Sequence, residues 1–221
     1  MRRPLCLLSM LLFAHVASAQ GLAHEPQAWL GVFANGPVTG RLMGWADAHV
    51  RVGFASPAQT MVLLRPGLGY RVRDDMTVWV GYLWAPVWRD GVQTLSEHRV
   101  WQQWTWDLVH ASGAKFQLRS RLEERFAAGD VGLRFRQLFR AQTAPLGAFL
   151  LVAWDEIFLA FNDTRFGQKA GFDQNRLFLG VAHKVHPKVR VEAGYFNQFL
   201  PRAGVPSPMR HAAAVNVFVS W

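Results

Sequence analysis

The chain has 221 residues, a formal net charge of +9 at neutral pH, 51% hydrophobic residues and a single cysteine, Cys6. The basic charge invites a nucleic-acid interpretation, but the charges are spread along the chain instead of clustered, and we predict no nucleic-acid partner. One cysteine excludes an intrachain disulfide and a multi-thiolate metal site, and the length fits one domain.

Residues 1–19 have the pattern of a cleavable export leader. Two arginines open the segment, the stretch from Leu5 to Val16 is apolar, and Ala17-Ser18-Ala19 is a small-residue cleavage site. The apolar stretch is too short for a comfortable membrane helix. We therefore predict signal-peptide cleavage near Ala19 and one exported domain over residues 20–221.

Hydrophobic residues after the leader recur at every second position. In KFQLRSRLEERF, residues 115–126, polar side chains alternate with Phe116, Leu118, Leu122 and Phe126, apart from two polar exceptions on the apolar face. The next segment, VGLRFRQLFRAQ, repeats this period of two, and a Gly-Asp turn signal separates the segments. The pattern predicts a β-hairpin.

The same alternation predicts eleven strands along the chain. They lie at residues 26–35, 41–55, 59–73, 76–87, 97–110, 114–127, 131–143, 147–161, 172–184, 188–200 and 210–221. Short turns are expected at 74–75, 111–113, 144–145 and 186–187, and longer loops at 88–96, 162–171 and 201–208. Short turns on one rim and longer loops on the other are typical of outer-membrane barrels.

No stretch after the leader is apolar enough to be a transmembrane helix, so a membrane-spanning form of this chain has to be a closed β-barrel. We predict an all-β fold, a single antiparallel up-and-down transmembrane β-barrel in a bacterial outer membrane. Such barrels usually have an even number of strands. We therefore expect 10–12 strands, and either one segment is misread as a strand or the first segment is not a full barrel strand.

The chain ends in AAAVNVFVSW, an alternating strand that closes on an aromatic residue. Such an end resembles the sorting signal that outer-membrane proteins present to the barrel-assembly machinery. Phe218 and Trp221 are the candidate residues of this signal, with the machinery and outer-membrane lipid as partners. Further tryptophans near predicted strand ends fit an aromatic girdle at the membrane interface.

Several short segments occur in the order of one known family. They are RSRLEERF, GLRFRQLFR, WDEIF, FDQNRLFLG and VEAGYFNQF. In that order and spacing they resemble the domain-of-unknown-function 2490 family, predicted outer-membrane β-barrels of Gram-negative bacteria. The similarity is densest from Glu97 to Trp221, and the segment from Gln20 to Gly91 departs more. The resemblance implies a fold and a location but no biochemical activity.

If the apolar face meets lipid, the charged face lines the lumen. The candidate lumen residues are Arg99, Arg119, Arg121, Glu123, Arg125, Arg134, Arg136, Asp155, Glu156, Arg176 and Glu192. Asp155 and Glu156 are neighbours, so one of them faces inward. The first interpretation is a paired network that plugs a small barrel. The second is a narrow pore or pocket that attracts anions, because arginine outnumbers carboxylate.

Two other classes of protein stay open. A lipid-hydrolysing barrel needs a serine beside a base; Ser96 and His98 lie two apart, but no nucleophile-elbow motif surrounds them. A soluble periplasmic lipocalin-like barrel would turn the apolar face inward. His183 and His186 have no carboxylate at ligand spacing, and we predict no metal and no cofactor. The sequence gives no indication of oligomeric state.

Overall fold

The computed structural model describes residues 21–55, 57–109 and 113–221, and within these ranges the chain forms β-strands and no helix. No helix in the described ranges is long and apolar enough to cross a membrane. The predicted leader and most of the predicted turn at 111–113 lie outside these ranges.

The strands are β1 Leu22–Thr39, β2 Leu42–Gly53, β3 Gln59–Arg73, β4 Met76–Arg89, β5 Val92–Val109, β6 Lys115–Ala127, β7 Asp130–Gln142, β8 Phe149–Ala160, β9 Gly171–His186, β10 Val189–Phe199 and β11 Ser207–Ser220.

The strands form one closed barrel in chain order. Each strand is antiparallel to its chain neighbours, whereas β1 and β11 close the barrel as a parallel pair. An odd number of alternating strands requires this, because the first and last then run in the same direction. The all-β barrel is confirmed, and the prediction of an entirely antiparallel sheet is wrong at this seam. Both explanations of the odd count are also wrong, because each of the eleven predicted segments overlaps a strand of the described residues and β1 pairs along both edges.

The two rims carry different connections. Trp221 lies at the end of β11, at the rim where β1 turns into β2; we call this the C-terminal rim. The opposite rim, which we call the loop rim, carries the connections over residues 161–170 and 200–206, close to where long loops were predicted. The long loop predicted at 88–96 is instead a two-residue turn, Asp90-Gly91, in which both residues have positive φ. An Asp-Gly pair is a favoured two-residue hairpin turn.

The barrel is apolar outside and largely charged inside. Leu30 and Leu68 expose 59% and 63% of their surface, whereas Arg121 and Glu123 expose 0% and 2%. Strand alternation explains the division, because successive side chains point to opposite faces of a sheet. Aromatic and aliphatic side chains share the interior in two clusters, one around Phe178 and one around Leu83.

Three hydrogen-bonded polar pairs interrupt the apolar exterior between β5 and β9. The Gln102 amide donates to Glu124 at 3.2 Å, and Ser120 donates to Gln137 at 2.5 Å. In the third pair the Asn175 amide nitrogen donates to Asp155 Oδ2 at 2.9 Å. Each polar group therefore has a partner on its own face. The pairing lowers the cost of keeping polar groups on an apolar surface.

Candidate functional site: the charged lumen and its chamber

Glu123 is the centre of the lumen charges. Its Oε2 lies 2.6 Å from Nη2 of Arg134, and its Oε1 lies 2.5 Å from Nη1 of Arg136. Arg99 and Arg121 approach the same carboxylate at 3.6 and 3.8 Å. The register of β6 and β7 creates this arrangement, because it sets Glu123 directly opposite Arg134. A buried carboxylate is tolerated when charged partners surround it in this way.

Two further carboxylates continue the cluster on either side. Glu156 Oε1 lies 2.7 Å from Arg136 and 2.8 Å from Arg119. Glu97 accepts two hydrogen bonds from Arg99, at 2.8 and 2.9 Å, and also pairs with Arg125 at 2.5 Å. Bidentate arginine–carboxylate pairs of this kind are among the strongest charge-assisted contacts.

Aromatic rings hold several guanidinium groups in place. The Cζ atoms of Arg134, Arg136 and Arg176 lie 5.1, 4.5 and 4.6 Å from the ring centre of Phe158, which is fully buried. Arg121 stacks on the ring of Trp101 at 4.5 Å. Cation–π contacts of this kind stabilise guanidinium groups that have left water.

The structure brings most of the predicted lumen residues into one connected cluster. Arg176 shares the interior but has no ion pair among the described residues, and Glu192 forms a separate group with Arg140 and Arg190. Asp155 lies on the outer face, whereas its neighbour Glu156 faces inward. The assignment of Asp155 to the lumen is therefore corrected by strand alternation.

The sequence interpretation missed a second inward row of polar residues on β2 and β3. Asp47 is buried and pairs with Arg65 at 2.8 Å across the two strands. Arg51 follows on the same face of β2, with its Cζ 3.8 Å from the centre of the Trp29 ring. The signal was present, since the segment WADAHVRVG alternates polar and apolar residues as clearly as β6 does.

The two candidate residues of the assembly signal lie in different surroundings. The Phe218 ring stacks on Phe33, with ring centres 4.7 Å apart. The guanidinium group of the inward-pointing Arg190 lies over the same Phe218 ring. Trp221 is half exposed and donates from Nε1 to the carbonyl oxygen of Pro37 at 3.0 Å. The indole ring of Trp221 lies close to Gly36. A Cβ atom added at Gly36 would lie 2.8 Å from this ring. Trp221 thus ties the end of β11 to β1 at the closing seam.

The candidate hydrolase pair lies on the outer face near the loop rim. Ser96 accepts a hydrogen bond from Trp84 at 3.0 Å, and His98 bonds the hydroxyl of Tyr82. Both groups are engaged by an aromatic residue of β4 instead of by each other. Across the described residues, no group of three or more histidine, aspartate or glutamate side chains is placed to hold a metal ion.

A chamber with a volume of about 390 Å³ lies inside the barrel next to the loop rim. Ten arginines and two carboxylates, Glu97 and Asp173, contribute to its wall. Six of these arginines have carboxylate partners within the described residues. The other four, for which the described residues supply no ion pair, are Arg51, Arg89, Arg176 and Arg202. The chamber therefore carries a local excess of positive charge.

The connection between β8 and β9 folds over part of the chamber. Gln168 is buried, accepts a hydrogen bond from Arg125 at 2.9 Å and donates to the carbonyl oxygen of Leu133 at 3.2 Å. At the outer end of this connection, the hydrogen bond from the Lys169 ammonium group holds the pKa of Asp163 below its usual value. These contacts hold the β8–β9 connection over part of the chamber.

Side chains also occupy the part of the lumen that does not belong to the chamber. Arg121, Trp101, Phe178 and Glu192 are each fully buried and come from four different strands. A small barrel is filled by its own side chains in this way. Fully buried side chains from four strands therefore occupy the lumen outside the chamber.

Comparison with known proteins agrees with this architecture at the level of the family. The model of a family described as "Protein of unknown function (DUF2490)" matches residues 26–207. An uncharacterised protein of Methylorubrum extorquens is 33% identical over 225 residues, which cover 98% of this chain and 97% of the relative. No solved structure matches the chain. On the family match and the near-complete relative, the chain belongs to the domain-of-unknown-function 2490 family.

Proposed function

We propose that the protein is an integral outer-membrane β-barrel whose lumen is closed by the arginine–glutamate cluster around Glu123. The observation that carries the proposal is the division of the two faces, apolar outside and charged inside. An arginine at the lipid-facing midplane would cost about 2–4 kcal/mol, so a membrane barrel has to keep such residues in its lumen.

The same division disfavours the soluble lipocalin-like alternative. A soluble barrel stabilises itself by placing apolar side chains inside and polar ones in water. Here exposed side chains such as Leu68, Val80 and Leu179 form an apolar surface around the barrel. A monomeric soluble protein rarely exposes a continuous apolar surface of this kind. The apolar exterior therefore supports a lipid-embedded barrel.

The rims support one orientation of the barrel in the membrane. Outer-membrane barrels have short turns on the periplasmic side and longer loops on the outside. The loop rim, with residues 161–170, accordingly faces the cell exterior, and Trp221 lies on the periplasmic side. The chamber then opens outward, and the filled lumen separates it from the periplasm. A closed barrel with an outward-facing chamber fits a binding protein better than a diffusion pore.

Fractionation of cells that express the full chain tests the membrane assignment. We expect the mature protein in the outer-membrane fraction, with a mobility on unheated gels that differs from the boiled sample, because folded barrels resist detergent. Recovery in the soluble periplasmic fraction without detergent would contradict the proposal. Planar-bilayer recordings test the closed lumen, for which we expect no steady conductance; stable ion channels from the purified wild type would favour the pore.

A further inference from the structure

The chamber next to the loop rim has the chemistry of an anion-binding site. Its volume, about 390 Å³, falls within the range of roughly 300–1,000 Å³ that is usual for small-molecule pockets. Most charged residues deeper in the lumen pair with one another, but the chamber wall has arginines for which the described residues supply no carboxylate partner. Arg51 and Arg176 are half-buried. A half-buried positive charge without a partner is unfavourable, and a bound anion would offset that cost.

Arg51 and Arg176 form the part of the chamber wall that is best suited to a ligand. Both guanidinium groups lie over the ring of Trp29, with Cζ atoms 3.8 and 5.5 Å from its centre. The Nε atom of Arg51 is buried and has no hydrogen-bond partner. Arg176 donates to the side chain of Gln174 at 3.2 Å, and neither arginine has an ion pair among the described residues.

We propose that this chamber binds a small anion that carries phosphate groups, held between Arg51 and Arg176 above Trp29. Guanidinium groups bind phosphate through paired hydrogen bonds, and two of them on one ring match a ligand with two anionic groups. Arg89 and Arg202 lie in the same wall, make no ion pair with any described residue, and attract the ligand toward the chamber. The proposal concerns the chamber alone and does not depend on the location of the barrel.

Calorimetric titration of the purified full-length barrel with pyrophosphate tests the proposal. We expect saturable binding that is tighter than for inorganic phosphate, and at least a tenfold loss of affinity in the double variant Arg51→Met, Arg176→Met. Arg41→Met is the matched control, because Arg41 is exposed at the C-terminal rim, and it should bind as the wild type does. No binding at millimolar pyrophosphate, or equal binding by the double variant, would overturn the proposal.

Stability measurements on the same variants separate binding from folding. The two arginines lack anionic partners in the described structure, so their replacement should leave the free barrel as stable as the wild type, or more stable, while binding is lost. If the double variant does not fold, Arg51→Lys and Arg176→Lys keep the charge but lose the paired hydrogen bonds. We expect each lysine variant to bind several-fold more weakly, and unchanged affinity in both would contradict the proposal.

The phosphate can come from a free solute or from a lipid headgroup. Pyrophosphate affinity should therefore be compared in phosphatidylcholine nanodiscs with and without phosphatidic acid. Weaker apparent binding in the presence of phosphatidic acid assigns the chamber to a lipid headgroup, and equal binding assigns it to a soluble ligand. Both results support a phosphate site, whereas an absence of pyrophosphate binding in both kinds of disc opposes it.

Discussion

Glu123 and Arg134 face each other across the β6–β7 pair, and their side chains meet at 2.6 Å inside the barrel. Three further arginines converge on the same carboxylate. The adjacent residue, Glu124, points outward and accepts a hydrogen bond from Gln102. One step along the strand thus separates a carboxylate that balances several buried cations from one that has a single neutral partner.

Replacement of Glu123 by glutamine should strongly destabilise the barrel. The variant leaves the surrounding arginines without their shared anion, and breaking one partner of a buried ion pair costs about 3–5 kcal/mol. Urea unfolding in detergent, monitored by gel mobility, measures the decrease in the free energy of unfolding. Glu124→Gln is the matched control and should change stability by less than about 1 kcal/mol, since it alters a single part-buried hydrogen bond to Gln102. Equal effects of the two variants would contradict the central role of Glu123.

Deletion of Trp221 should lower the amount of folded protein in the membrane. The Trp221 ring packs on Gly36 and its indole nitrogen bonds Pro37, so the residue holds the seam between β11 and β1. Gly36→Ala should have a similar but smaller effect, because the added Cβ would displace the ring. The ratio of heat-modifiable to total protein is the readout. Trp221→Phe is the control that keeps an aromatic residue at the end of the chain. An unchanged folded fraction after deletion of Trp221 would contradict its role in barrel assembly.

Replacement of the outward pair Asp155 and Asn175 by leucine distinguishes lipid from water at the outer face. In a bilayer the double variant should be more stable by about 1–2 kcal/mol, because it removes polar groups from a lipid-facing surface. This gain is smaller than the free-energy cost of placing an arginine or lysine on the lipid-facing surface. In water the same change would enlarge an apolar patch and cause aggregation. Unfolding midpoints in lipid vesicles provide the measurement, and a large destabilisation there would contradict the lipid-facing assignment.

The parallel seam makes a prediction about the chain ends. Because β1 and β11 run in the same direction, Leu22 lies at the loop rim and Ser220 at the C-terminal rim. A tag inserted after Gln20 should therefore be accessible to antibody on intact cells. A tag in the turn at Asp74 should be accessible only after the outer membrane is opened. Protection of both tags would show that β1 is not paired as described.

Much of the fold was predictable because a barrel strand alternates with a period of two. Spacing alone predicts that Arg119, Arg121 and Glu123 share one face, and the structure places them together inside. Asp155 could not be separated from Glu156 by spacing, since the phase of an alternating strand is ambiguous where two acidic residues are adjacent. The register between β7 and β8 fixes that phase.

The chamber was less accessible to sequence reasoning. Arg51 and Arg176 lie on strands that are far apart in the chain, and closure of the barrel brings them to one tryptophan. A pattern along one strand reports which face a residue occupies, but it does not report which residues across the lumen will meet it. The parallel seam likewise depends on strand parity around the whole barrel, and no local signal marks it.

Depth-dependent fluorescence quenching tests whether the apolar outer face of the barrel lies in lipid. Cys6 in the predicted leader is the only cysteine, so single-cysteine variants of the mature chain carry one label each. Labels at Val80 and Leu179, both near the middle of outward faces, should be quenched by lipids that carry a quencher deep in the acyl chain. We expect strong quenching at these sites and protection from a water-soluble maleimide. Rapid reaction with that maleimide and no quenching by lipid would contradict a barrel whose apolar face lies in the membrane.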